Sequence, residues 1–278
     1  MRRRPELWLL VVALVAGAVA FVVLDLHASR LWPEPASWRR LGRFALAAFQ
    51  PALTHSGDVP TGTPSLLAQV ASGIRWTLVF AAGATSLAFV LGLPMGLLVS
   101  QATWSPEQVP SRAWRGVARA GRGVVRSLAA VLRSIHELLW AVLFLAAFGL
   151  SSGSAVLALT LPLLGTFIKL FAELLDETPR DVVEQLRGSG AGAVTALLVG
   201  LLPRAWPDLL SYLLYRFECT LRASAVLGFF GWPTLGYHLK LEWNAGDDHE
   251  AWTHLWALVL LVWLVDRWSR SLRARLVA

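Results

Sequence analysis

Six stretches of this sequence, each 17 to 27 residues long, consist almost wholly of apolar and small side chains: Leu7–Leu26, Ile74–Ser100, Ser127–Phe148, Ala155–Leu175, Trp206–Phe230 and Trp252–Trp268. About 20 apolar residues match the hydrocarbon thickness of a bilayer, inside which only a helix or a closed barrel satisfies its own backbone polar groups. The chain is 56% hydrophobic and 15% charged, with a mean hydropathy of +0.56. Soluble domains carry about 25% charged residues, so too little polar surface remains here for a water-soluble fold. The single cysteine, Cys219, rules out a disulfide scaffold, and the apolar content rules out disorder and collagen. The sequence predicts an all-α polytopic membrane bundle with about six transmembrane helices.

The net charge of +7 is carried by arginine; Lys169 and Lys240 are the only lysines. The arginines cluster beside apolar runs, the pattern of a topology signal rather than of a nucleic-acid surface. With the N-terminus in the cytoplasm, the inner loops collect 15 basic residues and the outer loops five. Both termini are therefore expected inside. The first stretch follows Arg2-Arg3-Arg4, is too long for a signal-peptide core and is not followed by a clear A-x-A cleavage site, so residues 1–26 read as an uncleaved anchor. In the external segment 27–65, Trp38, Leu41, Phe44, Ala45, Ala48 and Phe49 recur at helical spacing, with Arg39, Arg40 and Arg43 on another face. That is an amphipathic helix suited to the membrane interface. Residues 66–278 form the core. The uncharged turn Gly149–Ser154 suits an external hairpin, and Trp76, Trp206, Trp252 and Trp268 fall near span ends.

Enzymatic signatures are missing. No P-loop occurs. The G-x-S-x-G at Gly149, Ser151 and Gly153 lies between membrane spans rather than in a strand–turn–helix. The histidines form no ligand cluster, and Asp247-Asp248-His249-Glu250 reads as a solvated loop. No metal or cofactor is expected on the chain.

The informative cytoplasmic segment is 177–205. Asp181 is placed to cap a short amphipathic helix through Arg187; Gly188, Gly190 and Gly192 then permit a turn. A second helical piece is expected to end at Leu202-Pro203. Opposite charges also recur at i, i+4 inside apolar stretches: Arg133/Glu137, Lys169/Glu173 and Glu218/Arg222. Such charges are costly in a membrane, and this spacing lets each offset the other. The first two pairs are expected near the cytoplasmic ends of their spans. Arg216, Glu218 and Arg222 are expected deeper, as a path, a gate or a packing device.

These residues carry a resemblance. Permease subunits of ABC importers bear a loop E-A-A-x3-G-x9-I-x-L-P, and Glu184, Gly190, Leu202 and Pro203 match its spacing. Gln185 and Leu186 replace the two alanines, and Gly200 the isoleucine. The run Tyr212–Leu239 resembles the phosphonate-type signature Y-R-F-E followed by R-[AS]-[AS]-x-V-[LVM]-G and a glycine-rich loop. The block Arg133–Phe144 resembles R-A-I-P-E-L-[VI]-W-A, with His136 where proline is usual, and Lys169–Glu173 matches K-L-[FYL]-[SA]-E. The glycine-rich loop departs from G-A-G-G-I-G, reading GWPTLG over Gly231–Gly236.

The resemblance implies the type I ABC importer permease (MetI-like) fold in a bacterial inner membrane. It implies a phosphonate, phosphite or phosphate as cargo. It also implies a second permease copy or paralogue, an ATPase dimer that binds ATP and Mg, and a periplasmic or lipid-anchored binding protein. Asp181, Glu184, Arg187, Gly188, Gly190, Leu202 and Pro203 would couple to the ATPase. Arg216, Glu218, Arg222, Ser224, Gly228, Gly231 and Gly236 would form the path or gate. The rival readings are an ABC permease for another solute, a secondary transporter, whose usual inverted repeats are absent, and an intramembrane hydrolase using Ser151, which lacks a positioned base.

Overall fold

A computed structural model describes residues 5–24, 34–57, 60, 62–101 and 112–277. Among them every regular element is helical, and the chain divides into two units, Met1–Gln50 and Pro51–Ala278. The Arg2-Arg3-Arg4 cluster and residues 25–33 lie outside the described residues.

The first unit contains α1 (Pro5–Val23) and α2 (Pro35–Ala47). From Trp8 to Val23 the α1 sequence is apolar on all faces, and this part rises about 24 Å at 1.5 Å per residue. α2 begins at Pro35, where a missing amide hydrogen is harmless, and separates Trp38 and Leu41 from Arg39, Arg40 and Arg43 as its spacing predicts.

The second unit is organised on α3 (Leu66–Val99), 34 residues capped by the Ser65 hydroxyl, which accepts from the Ala68 amide. Ala84, Ala88, Gly92 and Gly96 recur every four residues and make a smooth strip for α6 (Ser152–Glu177). A Cβ on Gly92 would lie 2.8 Å from Phe167 Cβ, and one on Gly96 2.8 Å from Phe171 Cβ. Only glycine permits this approach. Small-residue contacts associate helices in lipid, where apolar burial supplies no drive.

The third expected span is not one helix. α4 (Arg112–Ser134) and α5 (Glu137–Phe148) meet at 89°. His136 takes an extended conformation between them, and its Nδ1 accepts the Leu138 amide at 3.3 Å, capping α5. A histidine cap thus makes the break at the position where the related block has proline. The hairpin after α5 turns at Gly149 (φ 70°), and Ser151 and Ser154 cap α6 reciprocally. Ser151 is a helix cap, not a nucleophile.

α7 (Asp181–Gly188) is followed by a turn at Gly190 (φ 92°). Ala193–Thr195 and a π-helical turn, Ala196–Leu201, then run without a stop into α8 (Leu202–Val226). The expected end at Leu202-Pro203 is absent because Pro203 falls in the first turn of α8. The wide turn lets the Leu202 amide reach the Leu197 carbonyl. A 3₁₀ turn, Leu227–Phe230, and left-handed Gly231 (φ 110°) lead to α9 (Leu235–Ala245) and then α10 (Asp248–Val277).

Among the described residues three segments are long and apolar enough to cross a bilayer, Leu66–Val99, Ser152–Glu177 and Ala196–Phe230; α4 and α5 together make a fourth, broken one. The two remaining expected spans fall in α1 and in α10, which dilutes its apolar middle with Asp266 and Arg267.

Candidate functional site

α7 presents two faces. Val183 is buried, and Val182, Val183 and Leu186 pack toward Gly200, where a Cβ would lie 3.0 Å from Leu186 Cδ1 and 3.4 Å from Val183 Cγ2. Glu184, Gln185, Gly188 and Gly190 stay exposed. Asp181 is the first helical residue rather than the cap. Its carboxylate accepts from Arg204 at the start of α8, and that bond holds its pKa below the ordinary 3.8. An open groove of about 640 Å³ runs beside it, lined by Glu177, Pro179, Asp181, Arg204 and Asp208. The helix is thus braced at both ends of its inner face while its outer face is exposed.

Of the expected gate residues, Ser224, Gly228 and Gly236 gather where the end of α8 and the 3₁₀ turn after it cross α9. A Cβ on Gly228 would lie 2.0 Å from the Tyr237 amide nitrogen, and one on Gly236 2.2 Å from the Ala225 carbonyl oxygen. Ser224, fully buried, donates to the Thr77 carbonyl at 2.8 Å, while the Thr77 hydroxyl accepts the Leu235 amide at 3.2 Å. Three of the four residues that depart from the glycine-rich pattern, Trp232, Pro233 and Thr234, have defined roles or positions. Trp232 is 2% exposed and donates Nε1–H to the Ser151 carbonyl at 2.8 Å; Thr234 donates to Ala225 O at 2.9 Å; Pro233 lies between them. The loop is packed against the α5–α6 hairpin.

The charged residues are arranged differently from expectation. Arg133 and Glu137 do not form an i, i+4 pair because the helix breaks between them. Arg133 lies in the last turn of α4, and its backbone sits against Gly165, near the midpoint of α6, where a Cβ would be 3.1 Å from the Arg133 nitrogen. Glu218 bonds Arg273 of α10 at 3.0 Å instead of Arg222, whose Nη2 is 3.5 Å from Cys219 Sγ. The Lys169/Glu173 pair stands, at 3.6 Å and largely exposed. Arg273 was not singled out from sequence; it lies 55 residues from Glu218, beyond any local pattern.

A cavity of about 190 Å³ lies at the α4–α5 break. α6 contributes Leu159, Pro162, Leu163 and Thr166, and α8 contributes Arg216, Cys219, Thr220 and Ala223, both at i, i+3, i+4, i+7. Arg133, His136 and Glu137 complete the wall. Arg216 and Glu218, two residues apart on α8, face different cavities: Glu218 and Arg222 line one against α10.

Residues 113–276 match the family described as binding-protein-dependent transport system inner membrane component. The chain belongs to that family. The permease is 31% identical over 257 residues to the phosphite transport system permease protein PtxC of Stutzerimonas stutzeri, covering 85% of this chain and 89% of that one. It is 28% identical over 222 residues to the phosphate-import permease protein PhnE of Mycolicibacterium smegmatis, covering 79% of this chain but 39% of that longer one. Among solved structures, it superimposes with a TM-score of 0.64 and 22% identity on a chain of the inward-facing MetNI methionine ABC transporter, covering 76% and 97% of the two chains. The fold is that of a type I ABC importer permease. Such a permease is a membrane subunit rather than an enzyme, and nucleotide belongs to its separate ATPase partner.

Proposed function

We propose that this permease moves a phosphorus oxyanion, a phosphonate, phosphite or phosphate, inward across the cytoplasmic membrane, driven by a separate ATPase and supplied by an external binding protein. The phosphorus chemistry rests on the likeness to permeases named for phosphite and phosphate. The single observation that carries the coupling is α7, whose inner face is locked to the start of α8 while Glu184, Gln185 and Gly190 face outward.

In this reading both termini are cytoplasmic, residues 1–26 anchor the chain, 27–65 lie at the outer surface, and 66–278 are the permease core, paired with a second copy or a paralogue. ATP-driven closure of the ATPases moves Asp181–Gly190. The Asp181–Arg204 bond and the Leu186–Gly200 contact pass that movement to Leu202, Pro203 and α8. α8 carries Arg216 toward the path and ends at the Gly228–Gly236 crossing, where Ser224 and Gly231 set the packing. Glu184→Arg combined with Gly190→Asp should uncouple ATP hydrolysis from growth on phosphite as sole phosphorus source, in cells carrying the cognate ATPase and binding protein. Wild-type growth in that double variant would contradict the coupling role.

A further inference from the structure

We infer that the cavity at the α4–α5 break is a transit site for the oxyanion, held between Arg133 and Arg216, and that Arg133 passes it to the adjoining cavity beside Lys169. This rests on the reading of the chain as an importer of a phosphorus oxyanion.

The first observation is unbalanced charge. Arg133 and Arg216 line one wall-to-wall space, and among the described residues neither forms an ion pair. The carboxylate in that space, Glu137, lies 3.7 Å from His136 Nε2. Arg216 Nε is buried and donates to nothing, while its guanidinium lies 6.0 Å from the Tyr212 ring centroid. Two cations level with the middle of a membrane helix are costly unless an anion visits them.

The second observation is the chemistry of the wall. The Thr166 and Thr220 hydroxyls donate to the Pro162 and Arg216 carbonyls at 2.9 and 2.8 Å, so they turn lone pairs, not protons, to the cavity. Hydrogen-bond donation therefore comes chiefly from guanidinium groups, whose planar forks match phosphorus oxyanions. A volume of 190 Å³ equals about six waters at roughly 30 Å³ each, room for one hydrated oxyanion.

The third is connectivity. Arg133 also lines a neighbouring cavity of about 380 Å³, with Arg126 and Lys169 set against Glu173 and Asp176. Its three cations and two carboxylates leave the same single net positive charge that Arg133, Arg216 and Glu137 leave in the first space, so an anion meets net attraction in both, and Arg133, common to the two, is the side chain that passes it on.

Radiolabelled phosphite binding to the purified permease–ATPase complex, without binding protein or nucleotide, tests the site. Saturable binding near one per permease chain is expected, weakening with salt. Arg133→Gln and Arg216→Gln should each weaken it about tenfold or more, as loss of a charge-assisted hydrogen bond predicts. The exposed Arg270→Gln, outside the site, should change it less than about twofold. If a Gln variant fails to assemble, the Lys variant at that position replaces it and should bind more weakly than wild type, because one ammonium cannot reproduce the fork. Wild-type affinity in the variants, absence of saturable binding in a complex that takes up phosphite, or phospholipid found by mass spectrometry in place of the free anion would each overturn the site. A wild-type complex that takes up none of phosphite, phosphate and methylphosphonate would overturn the functional reading instead.

Discussion

Leu186 on α7 rests in the space left by Gly200, where a Cβ would come within 3.0 Å of Leu186 Cδ1. They are two of the three positions at which the chain departs from E-A-A-x3-G-x9-I-x-L-P, a large residue replacing the second alanine and glycine replacing isoleucine. The departures fit each other. Gly200→Ile alone should push α7 off its seat, costing about 1–3 kcal/mol by overpacking. Leu186→Ala alone should leave a gap. The pair together should recover coupled uptake, with an interaction energy of about 0.5–3 kcal/mol. Thermal unfolding and ATP-dependent uptake on the three variants measure this; additive losses would mean the two sites are independent.

Glu218 depends on Arg273, not on its helical neighbour Arg222. Glu218→Gln or Arg273→Gln should each lower the stability of the complex by about 1.5–3 kcal/mol, the range for a hydrogen bond to a charged group. Arg222→Gln should cost less, since its side chain reaches only Cys219. Swapping charges between positions 218 and 273 should restore part of the loss, whereas a swap between 218 and 222 should not. Detergent-extracted complexes compared by thermal unfolding separate the two partners.

The Gly228–Gly236 crossing should not tolerate a side chain. At both positions the atoms a Cβ would meet within 2.6 Å include backbone, which cannot swing away. Gly228→Ala and Gly236→Ala should abolish assembly or transport. Gly83→Ala, where the nearest atom would be Val156 Cγ2 at 3.6 Å, should be neutral or stabilising by up to about 1 kcal/mol, as for alanine replacing a mid-helix glycine. Expression and uptake that are equal for all three variants would contradict the packing account.

What could be read in advance follows from what is local. Apolar runs made the helical membrane fold legible, and the spacing from Glu184 to Pro203 marked α7. The break at His136 was hidden because apolar periodicity continues across it. Glu218 was paired with Arg222 because i, i+4 is the relationship a sequence displays, while Arg273 enters only when α10 folds back on α8. Trp232 read as a departure from a glycine-rich pattern; its bond to Ser151 needs the hairpin and the loop to meet in space. The Asp247–Glu250 segment read as solvated, yet Glu250 is 3% exposed and accepts from His55 Nδ1 at 2.8 Å and the Ser56 amide at 2.6 Å.

That last contact makes stability depend on pH. The Pro64 carbonyl and Glu250 raise the His55 pKa above 6.5, with Glu242 adding to the pull. Burial pushes Glu250 up, but its bonds to Ser56 and His55 outweigh burial and leave it below 4.5. The imidazole contribution is complete below 6.5 and is lost as pH rises through the raised value. The carboxylate contribution is present above 4.5 and is lost as pH falls through the lowered value. The stability gap between wild type and His55→Gln should therefore peak between pH 4.5 and 6.5 and shrink in alkali. A gap that stays constant from about pH 5 to about pH 9 would remove the ion pair from the account.

The central claim is that ATP hydrolysis by a partner, transmitted through α7, drives a phosphorus oxyanion through this chain. Its most direct measurement is radiolabelled phosphite uptake into proteoliposomes holding the permease, its ATPase and its binding protein. Uptake should require ATP and all three components and should persist when ion gradients are collapsed. Uptake by the permease alone, driven by a proton or sodium gradient without ATP, would contradict it.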